Sequence, residues 1–128
     1  MMASDRPRSL PIVLVVEDNI MLRMRAVDIV EDAGYASVEA VDADEAFSIL
    51  QSRCDIALLF TDIQMPGTMD GLQLAHAVYE RWPHVKIILV SGRLKLSSAH
   101  IPRDSRFFGK PLVSHQIIAE MQNMIGFG

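Results

Sequence analysis

Four apolar runs of strand length in this chain each end in a polar group. Ile12 to Val16 is followed by Glu17-Asp18, Leu58-Leu59-Phe60-Thr61 by Asp62, Ile87 to Val90 by Ser91, and Phe107-Phe108-Gly109 by Lys110. Brought together, Glu17, Asp18 and Asp62 would be three like charges opposing one another's ionisation, which a hard divalent cation relieves. Mg2+ suits such a set, since it takes oxygen ligands, keeps several waters and often needs only one or two carboxylates beside a phosphate. No Cys or His lies close by in sequence, which argues against Zn2+. Lys110 offers a flexible cation and Ser91 a hydroxyl donor, a pair suited to the free oxygens of a phosphoryl group. An aspartate is a competent phosphoryl acceptor. Asp62 is the candidate, because it ends the most central of the apolar runs and is stopped at once by Pro66 and Gly67.

The elements that must position these groups follow from periodicity. Ile12 to Val16 is β-branched and apolar throughout, as a strand covered on both faces would be. Asp18 or Asn19 can cap a helix carrying Leu22, Ala26, Ile29, Val30 and Ala33, which Gly34 ends. Ala36 to Ala40 reads as a shorter strand, and Asp42 or Asp44 as the cap of a helix with Ala46, Phe47, Ile49 and Leu50 inward. After the strand ending at Asp62, a loop of Gln64 to Asp70 leads to a helix through Leu72, Ala75, Val78 and Tyr79. Val85 to Val90 is the fourth strand and Arg106 to Gly109 the fifth. Between them, Gly92 to Asp104 has room for at most a short or irregular helix with Leu94, Leu96 and Ala99. A last amphipathic helix over Val113 to Ile125 buries Ile117, Met121, Met124 and Ile125.

Strands alternating with helices imply right-handed crossovers and a doubly wound, five-stranded parallel sheet with helices on both faces. Ligands of such sheets bind outside the carboxyl ends of the strands, where all the polar groups named above would meet. Length and composition agree: 128 residues, half of them hydrophobic, suit one domain with a full core. Residues 1–9, polar and aperiodic, read as a loose tail, residues 10–126 as the domain, and no output domain follows. A net charge of −4 argues against a nucleic-acid surface. The single Cys54 offers no disulfide and reads as core. The four histidines, without ligand spacing, read as surface residues. No run approaches the ~20 apolar residues that span a bilayer, which points to a soluble cytoplasmic protein.

The ordered set Val16-Glu17-Asp18-Asn19, Thr61-Asp62-Ile63-Gln64-Met65-Pro66 with Met69-Asp70-Gly71, Val90-Ser91-Gly92 and Phe107-Phe108-Gly109-Lys110-Pro111 resembles the receiver domain of two-component response regulators. The resemblance implies a flavodoxin-like sheet of order 2-1-3-4-5. It implies that Asp62 accepts a phosphoryl group from a phosphohistidine on a sensor histidine kinase, with Mg2+ held by Glu17, Asp18, Asp62 and the backbone carbonyl of Gln64. Ser91 and Lys110 would bind the phosphoryl oxygens, and Phe107 matches the switch aromatic. The Lys110-Pro111 peptide is expected to be cis. A downstream effector, a histidine phosphotransfer protein or a second copy of the chain would be the further partners, without nucleic acid or membrane. Such a domain phosphorylates and dephosphorylates itself and is otherwise no enzyme.

The chain departs from the family pattern in several places. Glu17 stands where Asp is commoner, and the loop after Pro66 is one residue longer than usual. Lys110 follows Ser91 by only 19 positions, which shortens the expected fourth helix and bears against the usual dimer face. Two other classes use part of this pattern. An aspartyl-nucleophile phosphatase uses a similar set but needs a second Asp where Gln64 stands, and a cap over its substrate. A phosphorylation-independent binding domain would not need the complete acceptor set.

Overall fold

The computed structural model describes residues 10–92 and 100–126. In chain order the elements are β1 (Ile12–Val16), α1 (Ile20–Asp32), β2 (Ala36–Ala40), α2 (Ala43–Ser52), β3 (Ile56–Asp62), α3 (Gly71–Arg81), β4 (Lys86–Ser91), β5 (Arg106–Gly109) and α4 (Ser114–Ile125). The strands form one parallel sheet in the order β2-β1-β3-β4-β5, as expected. The expected tail over residues 1–9 and most of the expected short helix, including Leu94, Leu96 and Ala99, lie outside the described residues.

Alternation along the strands builds two cores from one sheet. Leu14, Val16, Leu59, Ile87 and Leu89 face α2 and α3, where they meet Ala46, Leu50, Leu74 and Val78. Val13, Val15, Leu58, Phe60, Ile88 and Val90 face α1 and α4, where they meet Ile29, Val30, Ile117 and Met121. Consecutive strand residues are apolar because both faces are covered, the condition for a parallel sheet. Leu14, Leu58, Leu59, Ile88 and Leu89 have no exposed surface. The two edge strands are less covered: β2 is half-buried along most of its length, and β5 is half-buried at Phe107 and Phe108 and exposed at its two ends.

Caps fix where the helices begin. The Asn19 side chain, rather than that of Asp18, accepts from the Leu22 amide at 3.0 Å, and Asp42, rather than Asp44, caps α2. At α3 the Asp70 side chain accepts from the Gln73 amide at 2.8 Å while the Gln73 side chain accepts from the Asp70 amide at 2.9 Å, a reciprocal capping box. That box makes Gly71 the first helical residue and sets the helix phase. Gly71, Leu74, Ala75 and Val78 turn inward and Leu72 packs half-buried against the same core, so of the expected stripe only Tyr79 is exposed. Leu22 is likewise exposed rather than core, lying in the first turn of α1 at the rim of the sheet. Cys54 is exposed in the α2-β3 loop, which corrects its reading as core. All four histidines are exposed.

Candidate functional site

Parallel pairing carries the ends of β1, β3 and β4 to one edge of the sheet. Val16 registers with Thr61 and Asp62 with Val90, so Glu17 and Ser91 each lie one residue beyond a neighbour of the β3 terminus. Val90 then accepts the Ile63 amide at 2.9 Å, and Ser91 accepts the Lys110 amide at 2.9 Å, which fixes the strand ends against each other. Every strand but the edge strand β2 thus delivers at least one expected site residue.

Lys110 lies between two carboxylates. Its Nζ donates to Asp62 Oδ2 at 3.1 Å and to Glu17 Oε1 at 3.3 Å. Glu17 and Asp62 are nearly buried, with side chains 7% exposed, whereas the lysine keeps 22%. Burial raises the Glu17 carboxyl above the ordinary carboxylate range, only partly opposed by the Asn19 amide that donates to Oε2 at 3.1 Å, and the neighbouring Asp62 charge raises it further. Burial by itself would lower Lys110, but the hydrogen bond and charge of Asp62, with the charge of Glu17, outweigh it and leave the ammonium raised. The lysine is therefore charged at neutral pH and partly offsets the like-charge repulsion around it.

One cation does not satisfy the whole cluster. Ligand oxygens of Glu17, Asp18 and Asp62 lie within 4.8 Å of one another. Asp62 Oδ1 is buried and, among the described residues, has no hydrogen-bond partner. A buried carboxylate oxygen left unpaired is costly, and a hard divalent cation bound by oxygens fits both that orphan and the surrounding charge. The donor set therefore fits Mg2+. Asp18 is the exposed member of the set.

Two clefts flank Asp62. One, of about 580 Å3, is lined by Gln64, Met65, Asp70, Gly92 and Lys110. The other, of about 350 Å3, is mostly apolar, with Met21, Phe60, Pro111 and Leu112 around Glu17 and Lys110. Ser91 is 2% exposed, and its hydroxyl donates to Gln64 Oε1 at 2.7 Å. Phe107 registers with Leu89 and packs half-buried on the α2 and α3 side of the sheet. The Lys110-Pro111 peptide is cis, as expected.

Several supporting residues were not legible beforehand. Arg23 spans the end of β1, donating to the Glu17 backbone carbonyl at 2.9 Å and to Glu39 at 3.0 Å. Gly71, read from the sequence only within the motif Met69-Asp70-Gly71, is a second such residue. A Cβ there would lie 1.8 Å from the Asp62 carbonyl oxygen and 2.9 Å from Ile63 Cα, so α3 starts in direct contact with the backbone of the acceptor. A glycine at a helix's first position, where no positive φ is needed, is the signal that could have indicated such an approach.

Sheet order and site together define a doubly wound α/β domain with an acidic, lysine-paired cluster at its carboxyl edge. The sequence profile of the response regulator receiver domain matches residues 13–121, and the chain belongs to that family. Phosphorylation on an aspartate is the standard function of such domains. The chain is 31% identical over 116 residues to response regulator receiver protein CpdR of Brucella abortus, covering 88% of this chain and 95% of that one. It is also 31% identical over 117 residues to sensor kinase CckA of the same organism, of which it spans only 12%. Among solved structures, the receiver domain of NtrX from Brucella abortus superposes with a TM-score of 0.79 at 27% identity, covering 88% of this chain and 97% of that one. A receiver domain protein from Clostridium thermocellum gives 0.82 at 21% identity over 91% and 94%, a likeness of fold. No helix among the described residues is long and apolar enough to cross a membrane.

Proposed function

We propose that Asp62 is the phosphoryl acceptor of this receiver domain and that a sensor histidine kinase is its donor, in the cytoplasm. The observation that carries this reading is the Lys110 ammonium bound to Asp62 Oδ2 at 3.1 Å, beside an Asp62 Oδ1 that is buried without a hydrogen-bond partner. An Asp62 oxygen forms the bond to phosphorus as the bond to the donor's ring nitrogen breaks, the electron pair staying on that nitrogen. Lys110 then shifts from the carboxylate to a phosphoryl oxygen, and the Ser91 hydroxyl donates to another. Glu17, Asp18, Asp62 and the Gln64 backbone carbonyl would hold Mg2+, which when bound neutralises charge on both carboxylate and phosphoryl oxygens.

The new charge and acceptor oxygens favour one arrangement of the β4 end over another, so phosphorylation shifts an existing equilibrium. Phe107, half-buried beside Leu89, is the packing element that follows Ser91 inward and passes the change to a partner surface. That partner is a downstream protein or a histidine phosphotransfer protein. The chemistry is self-phosphorylation and self-dephosphorylation rather than turnover of a substrate, since Gln64 stands where an aspartyl-nucleophile phosphatase needs its second Asp.

Incubation with acetyl phosphate and Mg2+ should add one phosphoryl group to the intact mass of the protein. Uptake should fail without Mg2+ and fail in Asp62→Asn. Equal uptake by Asp62→Asn would remove Asp62 from the reaction.

Mg2+ should also raise the thermal midpoint in a pH-dependent way. A carboxyl raised in the fold binds its proton more tightly there than in the unfolded chain. The contribution of Glu17 is therefore fully present below the ordinary carboxylate range and is lost as pH rises through the raised value. At neutral pH the metal-free fold bears that loss and Mg2+ relieves it; as pH falls toward the raised value, the proton displaces the metal. The Mg2+-induced increase in midpoint should thus shrink from neutral pH downward. An increase that stays constant until pH falls below the ordinary carboxylate range would contradict the placement of Glu17.

A further inference from the structure

The Ser91 hydroxyl carries a single proton, and in this structure that proton is committed. Ser91 Oγ donates to Gln64 Oε1 at 2.7 Å, at a site where Ser91 is 2% exposed and bulk water does not substitute for the bond. Gln64 is held in place on both sides. Ile63 before it is 2% exposed and its amide is bonded to Val90, while Thr68 further along the loop bonds both carboxylate oxygens of Asp44 at 3.0 and 3.1 Å. A phosphoryl oxygen on Asp62 and the Gln64 side-chain carbonyl would therefore compete for one proton.

We infer that Gln64 is a positioning residue of the switch, its side-chain carbonyl holding the Ser91 hydroxyl in the unphosphorylated arrangement so that phosphorylation must first displace it. The inference rests on the reading of Asp62 as acceptor and adds a role for the Gln64 side chain, separate from its backbone carbonyl. Releasing Ser91 costs the fold one hydrogen bond, while Gln64, half-buried at the cleft, regains a partner from water. The bond therefore biases the chain toward its inactive form by about the net worth of one hydrogen bond. Gln64→Met keeps the length and removes the acceptor; Gln64→Ala removes both and serves if the methionine variant fails to fold.

The test is the equilibrium affinity for beryllofluoride with Mg2+, a tetrahedral phosphoryl mimic, followed by fluorine NMR on the full chain. Equilibrium binding is preferred to phosphoryl lifetime, because opening the cleft at Gln64 would alter hydrolysis for unrelated reasons. Gln64→Met should bind about fivefold more tightly than wild type, corresponding to one net hydrogen bond. In a Ser91→Ala background the same substitution should leave affinity unchanged. Equal or weaker binding by Gln64→Met, or the same tightening with Ser91 absent, would overturn the inference. Failure of the wild type to bind the mimic, or undiminished binding by Asp62→Ala, would instead overturn the acceptor reading and this inference with it.

Discussion

Gly71→Ala should destabilise the fold by about 3 kcal/mol, the upper part of the usual range for overpacking, because the clash is with backbone. The added methyl would sit 1.8 Å from the Asp62 carbonyl oxygen and 2.7 Å from its carbon. No rotamer change relieves that contact, so either α3 moves out or the β3 terminus moves aside. The first option strains the Gly71 amide bond to the Ile63 carbonyl at 2.9 Å and the capping box behind it. The second displaces Asp62 itself. Urea denaturation should show a lower midpoint with an unchanged slope, and phosphoryl uptake should fall with it. A variant as stable as wild type would mean that the approach of α3 to β3 is looser than the structure gives.

Lys110→Ala should cost a comparable amount at neutral pH, about 3 kcal/mol. That is the low end of what removing one partner of a buried ion pair costs, because the lysine keeps 22% of its side chain exposed. Without the ammonium, Glu17 and Asp62 face each other with no cation between them among the described residues. Two consequences separate this from a simple packing loss. The deficit should shrink as pH falls through the raised titration of Glu17, since protonation removes the repulsion. Mg2+ should restore part of the stability while phosphoryl uptake stays slow, because the phosphoryl oxygens still lack their cation. Urea midpoints measured with and without Mg2+ at neutral and mildly acidic pH check both. A deficit independent of pH and of metal would show that Lys110 contributes chiefly through its alkyl stem.

These two residues illustrate what could be read from the sequence. Lys110 was legible because it ends an apolar run, as Glu17, Asp62 and Ser91 do, and a parallel sheet gathers such ends at one edge. Strand positions followed from short apolar runs ended by polar groups, whereas the order of the strands in the sheet was implied by the family resemblance. Gly71 was not legible in the same way. Its role depends on how near α3 comes to β3, a tertiary distance that no local pattern encodes. The inward face of α3 was legible at Ala75 and Val78, but Tyr79 fits the same helical stripe and lies exposed, while Leu74 completes the buried face. Leu22 and Cys54 are apolar by type, but one lies in a helix's first turn and the other in a loop outside both cores. The bond from Ser91 to Gln64 spans 27 positions, from the end of β4 to the loop after β3, and became visible only with side chains in place.

The central claim is that the phosphoryl group is carried by Asp62 and by no other member of the acidic cluster. Borohydride reduction of the phosphorylated protein converts an aspartyl phosphate to homoserine, and peptide mass mapping then locates it. The account predicts homoserine at position 62 alone, formed only when Mg2+ was present during phosphorylation. Reduction at Asp18 or Glu17, or a phosphoryl group stable to borohydride on a histidine or serine, would contradict it.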